Sequence, residues 1–249
     1  MIEVAGKSVC GPRRQNNEDS FGFRSVGKYV IFAVADGLGG CPYGEVASQI
    51  AVNKSLDYVS KCLEQDEKDL EFMLEKAFNT ANIGILRDCA ANPDHDGMAS
   101  TLTFAVMSDD SLTIAHYGDC RCYLVRGDEL IQITEDHNLA AYLVRKGRIT
   151  KEEAVYHVSN SQIINCLGEN KFIKPDIHKY NIIEHDCVIL ASDGMYSLFD
   201  EETCRDILQR RDDPEALCDL LMERGASEDS TDNSTVVIAR SLSGQKTED

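Results

Sequence analysis

Two apolar runs in this chain stop in the same way. "YVIFAVADGLGG" (Tyr29 to Gly40) and "CVILASDGMY" (Cys187 to Tyr196) are each built from Val, Ile, Leu, Phe and Ala, and each ends in Asp-Gly. Short uninterrupted runs of this kind read as strands covered on both faces. Such a strand cannot tolerate an unpaired carboxylate in its middle, but its end can open on a crevice. Glycine then lets the backbone turn sharply and brings its carbonyl close to whatever the aspartate binds. One such end is an ordinary turn. Two suggest a pair of strands delivering acids to one place.

The rest of the chain supplies a frame for those strands. Further β-branched and aromatic runs occur at Thr101–Val106, Leu112–Tyr117, Arg121–Arg126, Val188–Ala191 and Thr235–Ala239, with a hairpin turn expected inside "RGDEL". Two helices are expected between the early and late strands. Within Asp66–Ala91, Leu70, Met73, Leu74, Ala77, Phe78, Ala81 and Ile85 recur on one face; within Glu45–Leu63, Val46, Ile50, Val52, Leu56, Val59 and Leu63 do the same. A late helix is signalled by "DDPEALCDLLMERG", with Asp before Pro at its start and Gly225 at its stop. Between Asn138 and Gly168 lies an insertion of short helices, where Thr150 and Glu153 have capping-box spacing. No Pro-, Gly- or Ser-rich linker divides the chain. It reads as one domain over 1–241, helices packed on sheets, with 138–168 as a lid-like element and 242–249 as a frayed tail.

Composition narrows the partners. The 249 residues carry 43 acids against 25 bases, a formal charge of −18, and no basic cluster, which disfavours nucleic acid. No window has the apolar length of a membrane span, and "MIEVAGKSVC" lacks the form of a signal peptide. The ten cysteines contain no CxxC, and several fall inside apolar patterns, with Cys120 and Cys122 on one face of a strand. Reduced thiols in a cytoplasmic protein are expected.

More acids sit at strand boundaries. Asp119 falls in "HYGDCRC", Asp232 in "STDNSTVVIA" just before the last strand, and Glu18 and Asp19 in "RRQNNEDSFG" near the first. Clustered acids repel and stay ionised together only if cations share the site. Oxygen ligands without His or Cys suit Mg²⁺ or Mn²⁺. Each Asp-Gly alone is more economically a turn; as a set with Asp36 and Asp193, the acids point to a metal site. An EF-hand is a poor fit, because "DGLGGCPYGE" lacks that loop's alternating acids.

The ordered series "GPRRQNNEDS", "AVADGLGG", "GMASTLTFAV", "HYGDCRCYLV", "ITEDHN", "LASDGM" and "DNSTVV" resembles the metal-dependent protein phosphatase family, type 2C, in its bacterial form. The resemblance runs from Gly11 to Ala239. It implies a sandwich of two antiparallel sheets flanked by helix pairs, and hydrolysis of phosphoserine and phosphothreonine by direct attack of a water held between two Mn²⁺ or Mg²⁺ ions. By the same resemblance Asp36 bridges the two metals and the Gly37 carbonyl ligates one of them. Asp193 and Asp232 hold the other, Glu18 acts through coordinated water, and Asp19 supports from behind. Asp119 with Asp193 resembles the pair that holds a weaker third ion. Arg14, by its spacing to Glu18, takes the place of the phosphate-binding arginine; a guanidinium can grip two phosphate oxygens at once. Arg13 reads as a solvated surface base.

Some positions depart from the family. Cys41 stands where bacterial relatives often carry a histidine after the Asp-Gly turn, which leaves protonation of the leaving oxygen to coordinated water. His137, in "EDHN", is expected to orient the loop beside Asp136; His95, His116, His157, His178 and His185 read as surface or core histidines. The "SNSQIINCLG" end of the insertion departs from the usual arginine-asparagine pattern, so docking is more affected than chemistry, and this flap is expected to set which phosphoprotein is accepted. A cysteine-phosphatase loop is matched in spacing only by "CRDILQR" and "CDLLMER", both helical in pattern and without phosphate-cradling glycines. The resemblance implies, as partners, a cognate serine/threonine kinase and its substrates, with monomer as the default. A catalytically weak binding scaffold is the competing reading, disfavoured because Asp36, Asp193 and Asp232 are all present. A partner-switching phosphatase acting on anti-sigma antagonists is disfavoured by the lack of room for a sensor domain.

Overall fold

In the strand Tyr29–Asp36 (β3), alternate residues go to different cores, which is why the run has no polar break. Ile31, Ala33 and Ala35 face helices, whereas Val30, Phe32 and Val34 face a second sheet. The computed structural model describes residues 1–227 and 230–242. Around β3 the strands are β1 Ile2–Val9, β2 Asp19–Val26, β4 Leu102–Met107, β5 Ser111–Tyr117, β6 Arg121–Arg126, β7 Glu129–Gln132, β8 Asp176–Asn181, β9 Cys187–Ala191 and β10 Ser234–Ser241. The α-helices are α1 Gly44–Glu64, α2 Leu70–Ala91, α3 Leu139–Arg145, α4 Lys151–Val155, α5 Asp193–Tyr196, α6 Glu201–Arg210 and α7 Pro214–Gly225.

The strands form two five-stranded sheets of order β1-β10-β9-β6-β7 and β2-β3-β4-β5-β8. Every pairing between these strands is antiparallel. Between the sheets lies a core that includes Phe32, Met107, Ile114, Cys120, Cys122, Leu190 and Val237. Helices α1 and α2 cover the outer face of the β2–β8 sheet through Leu56, Val59, Leu74, Phe78 and Ile85. Helices α6 and α7 cover the other sheet through Ile207, Leu217 and Leu221. The four layers match the expected sandwich flanked by helix pairs. Each fully buried large aliphatic or aromatic side chain contributes about 1.5–3 kcal/mol against leaving it in water.

Several boundaries differ from the sequence reading, each for a local reason. Helix α2 starts at Leu70 rather than near Asp66, because Asp69 caps it, its side chain accepting from the Phe72 N–H. In α1, Val46, Ile50 and Leu63 are only partly buried; Ala47 and Ala51 join the expected Val52, Leu56 and Val59 on the packed face. Gly225 is the last residue of α7 rather than a residue beyond it. Asp193 heads the short helix α5 instead of extending a strand end. The "RGDEL" hairpin joins β6 to β7, with Arg126 paired to Glu129, and the capping box of Thr150 and Glu153 is present at α4. All ten cysteines are free. The expected tail falls mainly on 243–249, outside the described residues; Leu242 still donates its N–H to the Met1 carbonyl, at 2.8 Å.

Candidate active site

Asp19 and Asp36 are direct register partners across β2 and β3. That pairing, at the end of the strands, carries both carboxylates to one edge of the sandwich. The β3 end is pinned from three directions. The Asp36 N–H donates to Thr101 Oγ1 (2.9 Å), while its carbonyl accepts from the Thr101 N–H (2.8 Å) and Ser100 Oγ (2.9 Å). Gly37 then donates its N–H to the Glu18 carbonyl at 3.0 Å. A Cβ at Gly37 would lie 2.3 Å from the Gly44 carbonyl group, so only glycine lets the start of α1 come this close.

The opposite sheet brings the other acids. Ser192, before α5, donates its hydroxyl to Asp19 Oδ2 at 2.7 Å and receives the Thr235 N–H at 3.0 Å. This ties β9, β10 and β2 together directly under the site. A Cβ at Gly194 would lie 2.9 Å from the Asp232 Cβ and 2.0 Å from the Asn233 carbonyl oxygen, which measures how closely Asp193 and Asp232 are brought together. The carboxyls of Asp193 and Asp36 are within hydrogen-bonding reach of each other.

Electrostatics follow from that crowding. Burial, then Asp19, Asp193, Asp119 and Asp232, push Asp36 well above the usual carboxylate range. Burial likewise pushes Asp19 up to about 7, against the hydrogen bonds from Thr235 and Ser192. Asp119 is raised by burial and by Asp193, and Asp193 by burial and by Asp232. Glu18 is raised by burial, with Arg14 pulling the other way. Burial opposes the charge of Arg14, but Asp232, Glu18 and Asp193 outweigh it. Arg14 pairs directly with Asp232 through Nη2. A set of acids that hold one another's pKa up is one that protons or cations must neutralise.

The donor set fits divalent cations of the hard kind. The side-chain donors are all oxygen. Among the described residues, no three His, Cys, Asp or Glu side chains form a group that would hold an ion by themselves. Asp19, Asp36, Asp119, Asp193 and Asp232 lie close enough to act on one another's charge, with Glu18, Gly37 and Arg14 beside them.

Sequence reading missed several supporting groups. Ser192, Thr101 and Ser100 hold the acids but reach them across long sequence separations, which only the fold can supply; their place beside "DG" and inside "GMAST" was the one available signal. Cys120 sits behind the site, its thiol raised by burial and by Asp36 and Asp119. His137 does orient a loop: its Nδ1 accepts the Gly118 N–H at 3.1 Å, so its Nε2 carries the proton and donates to Asp176 at 3.0 Å. His95 stacks on Tyr43, ring centroids 4.2 Å apart, and bonds Asp88 at 2.5 Å. Tyr43 takes the left-handed conformation, φ 52°, just before α1.

Known proteins share this plan. The family model described as protein phosphatase 2C matches residues 10–223. The serine/threonine phosphatase stp of Listeria innocua is 32% identical over 241 residues, which is 96% of this chain and 96% of that protein. The crystal structure of the serine/threonine phosphatase PstP/Ppp of Mycobacterium tuberculosis superposes with a TM-score of 0.82 at 34% identity, covering 97% of this chain and 99% of that one. The catalytic domain of PstP in complex with two manganese ions superposes with a TM-score of 0.77, also at 34% identity and over 97% and 99% of the two chains.

Proposed function

The chain belongs to the protein phosphatase 2C family, and on that premise we propose which of its residues carry the reaction. It is a metal-dependent serine/threonine protein phosphatase, hydrolysing phosphoserine and phosphothreonine esters. The observation that carries the residue assignment is the convergence of Asp19, Asp36, Asp119, Asp193 and Asp232 on one another, with Arg14 paired to Asp232. Asp36 would hold both of two Mn²⁺ or Mg²⁺ ions, with the Gly37 carbonyl on one and Asp193 and Asp232 on the other. Asp119 and Asp193 would hold a weaker third. When bound, such ions acidify water and draw negative charge off a phosphoryl group.

The chain's own groups do the rest. Arg14 can exchange Asp232 for two oxygens of the phosphate, a bidentate grip that fixes the phosphorus over the acids. Glu18, raised in pKa by burial, orients water from the side. Asp19, held by Ser192, keeps Asp36 in place. No cysteine acts as nucleophile: Cys204 and Cys218 lie on α6 and α7. Retention of the full acid set supports turnover over the binding-scaffold reading.

As partners we infer phosphoproteins, among them a cognate kinase and its substrates, with the enzyme acting as a cytoplasmic monomer. The ten free thiols support a reducing compartment, and no helix among the described residues is long and apolar enough to cross a membrane. The first experiment is release of phosphate from a phosphothreonine peptide by chelator-stripped protein, with and without Mn²⁺. Release that needs metal is the expected result. Silence in a folded sample that still binds Mn²⁺ would reinstate the scaffold.

A further inference from the structure

One charged cluster lies next to the site, close enough for Arg121 and Asp136 to act on the charge of Asp119. Arg121 opens β6, two residues beyond Asp119. Its Nε and Nη2 donate to the two carboxylate oxygens of Asp136, each at 2.8 Å. Its Nη1 lies 3.3 Å from the Tyr123 hydroxyl, and its guanidinium carbon stacks 3.8 Å from the ring centroid of Tyr196. Tyr196 ends α5, the helix that Asp193 begins. From the other side, Asn138 Nδ2 donates to Asp136 Oδ2 at 3.3 Å. Asn138 is the N-cap of α3, accepting the Ala141 N–H at 2.8 Å, and α3 is the first element of the 138–168 insertion.

The arrangement is a continuous chain of contacts from α5 through Arg121 and Asp136 to the first turn of the insertion. Asp136 and Asn138 are buried, 9% and 5% exposed. A planar fork filling both carboxylate oxygens while its face lies on an aromatic ring has one geometry, which a lysine cannot reproduce. Ion pairs withdrawn from water add little net stability but can fix the placement of the elements they join. Both of its carboxylate-facing donors are taken by Asp136, which leaves the guanidinium committed to this junction.

We propose that Arg121 is a positioning residue for protein substrates, locking the base of the 138–168 flap to the helix that carries Asp193. The inference rests on the phosphatase reading and on the flap's part in accepting phosphoproteins. Small esters that do not touch the flap are indifferent to the lock. Phosphoproteins, which must fit flap and catalytic acids together, depend on it.

The test uses the full chain with two variants. Arg121→Lys keeps the charge and loses the fork. Asn138→Ser keeps an N-cap acceptor, removes the amide donor to Asp136 and leaves Arg121 and α5 untouched. Amide hydrogen exchange is followed over 139–145, and kinetics are taken on p-nitrophenyl phosphate and on a phosphothreonine protein. In both variants exchange over 139–145 should accelerate about tenfold. KM for the phosphoprotein should rise about fivefold, while kcat of Asn138→Ser on p-nitrophenyl phosphate stays within about twofold. The double variant should be no worse than the more affected single one, because both break one chain of contacts. Unchanged flap exchange in Asn138→Ser, or effects that simply multiply in the double variant, overturns the proposal. Should Arg121→Lys fail to fold, Asn138→Ser decides alone. A wild-type enzyme inert toward p-nitrophenyl phosphate would count against the phosphatase reading, and the exchange data would still judge the lock.

Discussion

Asp36 and Asp193 reach each other from opposite sheets, and each has burial and further carboxylates against it. Under the proposed assignment, replacing either by Asn removes a charge that a divalent cation would need. Turnover of Asp36→Asn or Asp193→Asn on p-nitrophenyl phosphate should fall by at least about a hundredfold at saturating Mn²⁺, since cation stabilisation of the transition state is worth several kcal/mol. Near-normal turnover in either variant would sink the assignment. His116 makes a different residue-scale prediction. Fully buried, with Nε2 donating to the Glu135 carbonyl and Nδ1 against Thr103, it is pushed down to about 3 by burial and by His137, while Asp176 opposes the shift and His178 adds to it. The unfolded chain takes up this proton first as pH falls below about 6.5, so this group costs no stability above that value and withdraws an increasing amount as pH falls toward 3. The slope is about 1.4 kcal/mol per pH unit for this one group. The urea midpoint of His116→Gln should therefore gain on that of the parent as pH is lowered from 6 to 4, whatever slope the other groups give both proteins. Parallel slopes would mean that His116 is not buried neutral.

Among the elements, β3 bears most on the fold because it is buried on both faces. Phe32→Ala would empty a site between the sheets and should cost about 3–5 kcal/mol in chemical denaturation; a loss below about 1 kcal/mol would mean that the inter-sheet core is not packed as described. The same double burial made β3, β6 and β9 plain in the sequence. Edge and partly exposed strands were not: β1 "IEVAGKSV" and β2 "DSFGFRSV" carry glycine and charge, and β8 "DIHKYN" is half-exposed at the sheet margin. Their pairing comes from partners far along the chain, which local pattern does not encode. Gly22 shows what β2 has instead of a large side chain: a Cβ there would lie 2.7 Å from Leu56, so glycine is the contact on which α1 rests. Helix α6 "EETCRDILQR" was hidden by its charges, only Thr203 and Ile207 being buried. Asp36 and Asp193 stood out because Asp-Gly follows a buried apolar run in each case. Ser192, Thr101 and the Arg121–Asp136 pair were not, because nothing near them in sequence marks their partners.

At the scale of the whole molecule, the proposed ion site would couple cation binding to stability through the clustered acids. Asp19 is raised to about 7, and Asp36 and Asp119 are raised well above the range near 3.8 expected of a free aspartate. Without cations, these groups hold protons in the folded protein that the unfolded chain has already shed, so stability falls as pH rises from about 4 through 7. Cations that replace those protons relieve the repulsion where it is greatest. Added Mn²⁺ should raise Tm by several degrees more at pH 7.5 than at pH 5.5 in differential scanning fluorimetry; an equal shift at both values would argue that these acids do not share the ion. The sheet that carries Asp193 imposes one further condition. Its strand β10 lies between β1 and β9, pairing Ile2 with Ser241 and Val237 with Leu190, and Asp232 arrives just ahead of it. A ribosome releases these parts in order, so β1 is exposed first and must wait, unpaired, for the last strand to emerge. During translation the polypeptide can gather α1, α2 and the β2–β5 layer while still lacking its second wall and one of its acids. Under the proposed assignment, a fragment that stops short of Asp232 lacks both that ligand and the strand that joins β1 to β9.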